Sequence, residues 1–92
     1  MSFALVTTQH FERCARKFLR KHPDLRPALR ETFDALWRDP FDPRLKLHPL
    51  SGQLTGIQAV GITYAYRLTL AVKVTEKEVV LLDIGTHDEV YR

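Results

Sequence analysis

The hydrophobic period changes once along this chain, and that change limits what it can fold into. As far as about residue 40 the apolar side chains recur at helical spacing, and from residue 57 they alternate with polar ones as in strands. Phe11, Cys14, Phe18 and Leu19 fall at i, i+3, i+7 and i+8, and Arg13, Arg16, Lys17, Arg20 and Lys21 form a basic stripe opposite them. His22-Pro23-Asp24 ends this helix. Asp24 is placed to cap the next one, and Pro27 falls in its first turn, where a missing N–H costs nothing. Leu25, Leu29, Phe33 and Leu36 mark the apolar face of the second helix, Trp37 lies beside it, and Asp39-Pro40 stops it. Residues 3–8, "FALVTT", have the composition of a short strand ahead of the first helix.

After the loop "DPFDPRLKLHPLSGQLTG", residues 57–63 ("IQAVGIT") and 64–74 ("YAYRLTLAVKV") predict two strands. In the second, Tyr64, Tyr66, Leu68, Leu70 and Val72 share one face, while Ala65, Arg67, Thr69, Ala71 and Lys73 share the other. "TEKE" is a turn, and residues 79–84, "VVLLDI", are apolar on both faces as in a central strand. The order is therefore β-α-α-β-β-β. It predicts one α+β domain over residues 1–92, with a small antiparallel-rich four-stranded sheet and a helical hairpin on one face. The face that carries Arg67 is left without a covering element.

Composition narrows the function classes. At 92 residues, 45% apolar and 27% charged, the chain reads as one soluble domain with little surplus stability. No apolar run approaches the roughly 18 residues of a membrane span, and the N-terminus lacks the pattern of a signal peptide. A single cysteine excludes an internal disulfide, which suits a reducing cytoplasm. No two histidines or carboxylates stand at ligand spacing on one element, and Gly52 and Gly56 form no phosphate-binding loop, so neither metal nor cofactor is expected. Charge is uneven: residues 1–48 hold ten Lys/Arg against six Asp/Glu, and residues 49–92 hold four against five. A basic first half suits an anionic partner.

Four histidines and one arginine stand out as candidates for chemistry. His10 and His22, at helix ends, read as surface residues, and Cys14 reads as packing on the core side of the first helix. His48 and His87 lie outside the predicted strands, in loops rich in Pro, Gly or Thr, where an imidazole titrates near neutral pH. Cleavage of RNA by its own 2′-hydroxyl needs a base for that hydroxyl, an acid for the 5′-oxygen and a cation for the phosphorane. Two imidazoles and the guanidinium of Arg67 supply all three. Which histidine is acid and which is base is left open by the residues themselves. Asp88 and Glu89, beside His87, favour its protonated form.

"KLHPLSGQLTGIQAVGITYAYRLTL" followed by "EVVLLDIGTHDEVYR" resembles the RelE/ParE superfamily of type II toxin–antitoxin toxins, and within it the YoeB- and YafQ-like ribosome-dependent mRNA interferases. The resemblance implies a microbial-ribonuclease-like fold, cleavage of mRNA on the ribosome without a metal, and neutralisation by a cognate antitoxin. It implies His87 as general acid, His48 as base and Arg67 as the group that stabilises the strained phosphate. It further implies Tyr91 as a tail aromatic against the substrate and Lys46 as an RNA-binding cation, with Arg44 as an alternative. Gly61 departs from the pattern, standing where many relatives carry arginine or histidine; losing one such donor costs about 10²–10³ in rate. Two other functions stay open. One is a ParE-like gyrase poison, which the tail histidine argues against. The other is a degenerate homologue that only binds antitoxin, for which Gly61 argues and which would dock a partner on an exposed helix face near Leu36 and Trp37.

Overall fold

The computed structural model describes residues 2–50 and 56–86. Thr8 opens the first helix, α1 (Gln9–Lys21), by accepting the Phe11 N–H at 3.0 Å, which satisfies one of the donors a helix start leaves over. Glu12 in its first turn and Arg20 and Lys21 in its last complement the helix dipole. Pro23 cannot continue the helix and begins a 3₁₀ turn (Pro23–Leu25), after which α2 (Arg26–Arg38) carries Pro27 in its first turn. Asp24 falls inside the 3₁₀ turn and does not cap α2. Leu25 takes that position with no side-chain bond, because the turn inserts three residues where spacing predicted a direct entry.

Among the described residues the sheet has five strands, one more than the sequence predicted. In spatial order they are β1 (Ala4–Val6), β5 (Glu78–Thr86), β4 (Tyr66–Lys73), β3 (Gln58–Gly61) and β2 (His48–Pro49). β1 runs parallel to β5, and the remaining neighbours are antiparallel. The additional strand is β2, whose two residues pair His48 with Ala59 and Pro49 with Gln58. Two residues carry no periodicity to read, and a proline is tolerated there because β2 is an edge. His48 is thus part of the sheet edge and not of a loop.

The helices pack on the face of the sheet that carries Leu68, Leu70, Val79 and Leu81, and these join Phe11, Leu36, Leu45 and Val60 in one core cluster. Tyr66, Leu68, Leu70 and Val72 share the face that alternation predicted. Tyr64 does not: it sits in the β3–β4 turn and is 97% exposed. The opposite face is less bare than expected. Ala59 and Thr69, directly paired across β3 and β4, are both buried, and the Thr69 hydroxyl donates to the Asp83 carbonyl at 3.3 Å. Arg67 and Ala71 are half-buried and Lys73 exposed.

Leu36 is fully buried, whereas its neighbour Trp37 is 53% exposed and its carbonyl accepts the Phe3 N–H at 2.7 Å. Leu36→Ala should therefore lower the unfolding free energy by about 2–5 kcal/mol in urea denaturation. Trp37→Ala should cost clearly less; equal losses would mean that the burial assignments of α2 are wrong.

Candidate functional site

A cleft of about 380 Å³ opens between the segment that enters β2 and the β3–β4 turn. Arg44, Lys46, His48, Gly61, Tyr64 and Arg67 line it. Four of the six residues singled out in the sequence, Arg44, Lys46, His48 and Arg67, thus meet at one place. The other two, His87 and Tyr91, lie outside the described residues. β5 ends at Thr86, the residue before His87 in the chain, in register with Tyr66, and Gly85 is in register with Arg67.

Strand register explains how Arg67 is held. Gly61 pairs with Arg67 across β3 and β4, so the two share a face of the sheet and of the cleft. The guanidinium lies over Gly61: a Cβ built there would meet Arg67 Nη1 at 3.5 Å, an ordinary van der Waals contact, so only a side chain longer than that of alanine would compete for the same space. Nη1 donates to the carbonyls of Thr63 at 3.0 Å, Tyr64 at 3.1 Å and Tyr66 at 3.4 Å. All three acceptors belong to the turn and the start of β4, so the turn backbone clamps the arginine. A guanidinium has five N–H donors, which leaves Nε and Nη2 to face an anion.

His48 is oriented by backbone as well. Its Nδ1 lies 2.9 Å from the Lys46 carbonyl, and a carbonyl only accepts, so Nδ1 carries the hydrogen and Nε2 is the basic nitrogen of the neutral ring. The carbonyl points that way because Lys46 adopts a left-handed conformation, with φ 52°, at the end of a 3₁₀ turn (Pro43–Leu45). Asp42 caps this turn by accepting the Arg44 N–H at 2.9 Å, and its carboxylate also takes the Arg44 guanidinium at 3.2 and 2.8 Å. Arg44 is therefore already paired with a carboxylate, and of the two cations ahead of β2 Lys46 is the more available to a phosphate.

Outside this cleft, His22 departs from the surface position expected of it. Its Nε2 lies 2.9 Å from the Tyr66 hydroxyl, and its ring packs against Phe18 and Tyr66, so it closes the end of the helix layer. The basic stripe of α1 is exposed, and Arg13, Arg16, Lys17 and Arg20 line an open groove with Arg26. Cys14 is half-buried, with its Sγ 3.4 Å from His10 Nε2. Burial, followed by the hydrogen bond and the charge of Asp83, pushes its thiol up, so Cys14 is a poor nucleophile at neutral pH.

No protein-family model and no curated protein sequence matches the chain. Solved structures do. YafQ from E. coli superposes with a TM-score of 0.79 over 98% of this chain and 99% of that one, at 16% identity. A copper-bound mutant toxin from Helicobacter pylori gives 0.77 over 97% and 99%, at 27% identity. The RelBE2 toxin–antitoxin complex from Mycobacterium tuberculosis gives 0.76 over 95% and 100%, at 24% identity. The chain has the fold of the RelE/ParE toxin superfamily, of the YafQ and YoeB type.

The Arg44 pair gives a prediction. The guanidinium beside it, then the Arg44 N–H, hold the Asp42 carboxyl at about 2, below its ordinary value. A depressed carboxyl favours the folded turn above its unfolded value, and that contribution is lost as pH falls through about 2. An NMR titration should find the Asp42 carbon midpoint near 2. A midpoint at the ordinary aspartate value of about 3.9 would show the pair to be absent in solution.

Proposed function

We propose that this chain is the toxin of a type II toxin–antitoxin pair and a metal-independent endoribonuclease acting on mRNA held by the ribosome. The observation that carries the proposal is the meeting of Lys46, His48 and Arg67 in one cleft, with both ring and guanidinium fixed by backbone carbonyls. Fixed donors and acceptors suit a reaction whose charge develops at one place. His48 Nε2 takes the proton from the RNA 2′-hydroxyl, and the 2′-oxygen attacks phosphorus. Arg67 and Lys46 balance the charge that grows on the phosphorane oxygens. His87 donates a proton to the 5′-oxygen as the P–O5′ bond breaks, leaving a 2′,3′-cyclic phosphate. Tyr91 holds a neighbouring base.

The RelBE2 neighbour is a toxin–antitoxin complex, which supports an antitoxin as the resting partner of this chain as well. The ribosome would supply most of the grip on mRNA. A net charge of +3 is too small to hold RNA tightly alone, although the α1 groove gathers exposed cations for ribosomal phosphates. A cytoplasmic location follows from this role.

Primer-extension mapping of a reporter mRNA in a translating extract tests the proposal. The purified chain should cut the message, and a ribosome-free control should stay intact. His48→Ala and Arg67→Ala, with unchanged circular dichroism, should each slow cutting by about 10² or more. Wild-type rates in His48→Ala would remove that ring from the chemistry. Intact mRNA together with inhibited DNA supercoiling would instead favour the ParE-like reading, and intact mRNA with antitoxin binding alone the degenerate one.

A further inference from the structure

Three side chains outside the cleft converge in a way that the proposed reaction does not use. His10 and Cys14 stand four residues apart on α1, so they lie one above the other on one face of the helix. Asp83 reaches them from β5. Between Thr69 and Leu70 the β4–β5 ladder slips by one residue: Thr69 pairs with Asp83, Leu70 pairs with Leu81, and Leu82 is passed over. Beside this irregularity the Asp83 carboxylate meets α1. His10 Nε2 lies 3.4 Å from Cys14 Sγ and 3.6 Å from Asp83 Oδ2, and the three donor atoms fall within 4.8 Å of one another.

Hydrogen bonds link Cys14 to His10 and to Asp83, but they leave the contact between His10 and Asp83 unexplained. A neutral imidazole offers a single hydrogen or a single lone pair at Nε2, yet two groups approach that one atom. The 3.6 Å separation from Asp83 is longer than an N–H···O bond, which spans about 2.7–3.2 Å. A tetrahedral ion matches the two separations from His10 Nε2. With ligand distances of about 2.0–2.3 Å, zinc separates neighbouring donor atoms by about 3.4–3.6 Å. The two separations from Nε2 are 3.4 and 3.6 Å, and the third pair of donors lies within 4.8 Å, so the thiol and the carboxylate need only a small approach to share an ion.

The ligands are also supported from behind. Asp83 Oδ1 accepts the Ile84 N–H at 2.8 Å, which leaves Oδ2 to the helix side. The start of α1 is held by the Thr8 cap and by buried Phe11. Supports of this kind are what orient metal ligands. The side chains of His10 and Asp83 are 62% and 51% exposed, so an ion has a path in and a water can complete the fourth position. Arg13 and Lys17 lie close enough to act on the thiol, and they oppose a cation. A thiolate and a carboxylate together balance the charge of a divalent ion.

We propose that His10, Cys14 and Asp83 form a zinc(II) site that clasps α1 to β5. One nitrogen, one sulfur and one carboxylate oxygen suit zinc and its borderline neighbours over magnesium or calcium. The sequence contained the signal: His10 and Cys14 have ligand spacing on a helix, but a search for pairs of histidines or of carboxylates passes over a His–Cys pair. The site ties α1 to β5, the strand whose last residue precedes His87 in the chain.

Cys14 is the one cysteine in the chain, which makes the test direct. The full chain is titrated with zinc by calorimetry, and the rate of Cys14 alkylation by iodoacetamide is followed with and without the metal. One ion should bind per chain and slow alkylation roughly tenfold or more. His10→Ala and Asp83→Asn, which keep the thiol, should each lose roughly tenfold or more in affinity and most of that protection. Cobalt should give a thiolate charge-transfer band that Cys14→Ser abolishes. Alkylation unaffected by saturating zinc would overturn the proposal. So would zinc affinity that is the same in His10→Ala and Cys14→Ser as in the parent, which would assign the ion to other histidines.

Discussion

The register of β3, β4 and β5 is the constraint on which the rest depends. Because side chains alternate across a strand, one residue of slip would exchange the two faces of the sheet. Leu68 and Leu70 would leave the core, and Arg67 would enter it. In the observed register Gly61, Arg67 and Gly85 are aligned across three strands, with glycine on both sides of the arginine. In that register the guanidinium folds back on the turn carbonyls that hold it. The core thereby selects the cleft: burial of Val60, Leu68, Val79 and Leu81 on one face fixes where the cation stands on the other.

The cleft is built from backbone as much as from side chains. The Lys46 carbonyl sets the tautomer of His48, and the Thr63, Tyr64 and Tyr66 carbonyls clamp Arg67. Carbonyls presented by a left-handed residue and by a tight turn cannot easily reorient. Both groups are therefore held before any substrate arrives, which lowers the reorganisation a charged transition state would demand. Asp42 works in the opposite direction on Arg44, occupying its guanidinium and leaving Lys46 as the more available charge.

Much of this was legible in the sequence where a pattern was long enough to read. The change from helical to alternating period located both helices and the three long strands. Alternation in "YAYRLTLAVKV" separated Arg67 from Leu68. The failures share one physical cause, which is that contacts distant in sequence leave no local period. The two-residue strand holding His48 exists only because Ala59 and Gln58 lie opposite. His22 looked like a surface residue until Tyr66, 44 positions away, supplied its hydroxyl. Tyr64 continued an alternation that the turn interrupts. Asp83 met His10 and Cys14 only through a one-residue slip in a ladder that reads as regular.

The chemistry of the ends left on cut mRNA tests the central claim most directly. Attack by the 2′-hydroxyl, with His48 as base, predicts a 2′,3′-cyclic phosphate on the upstream fragment and a 5′-hydroxyl on the downstream one. Mass spectrometry of the two fragments distinguishes these from a 3′-hydroxyl paired with a 5′-phosphate. The second pair of ends would mean that water and not the RNA itself is the nucleophile, and the roles given to His48, Arg67 and His87 would then be wrong.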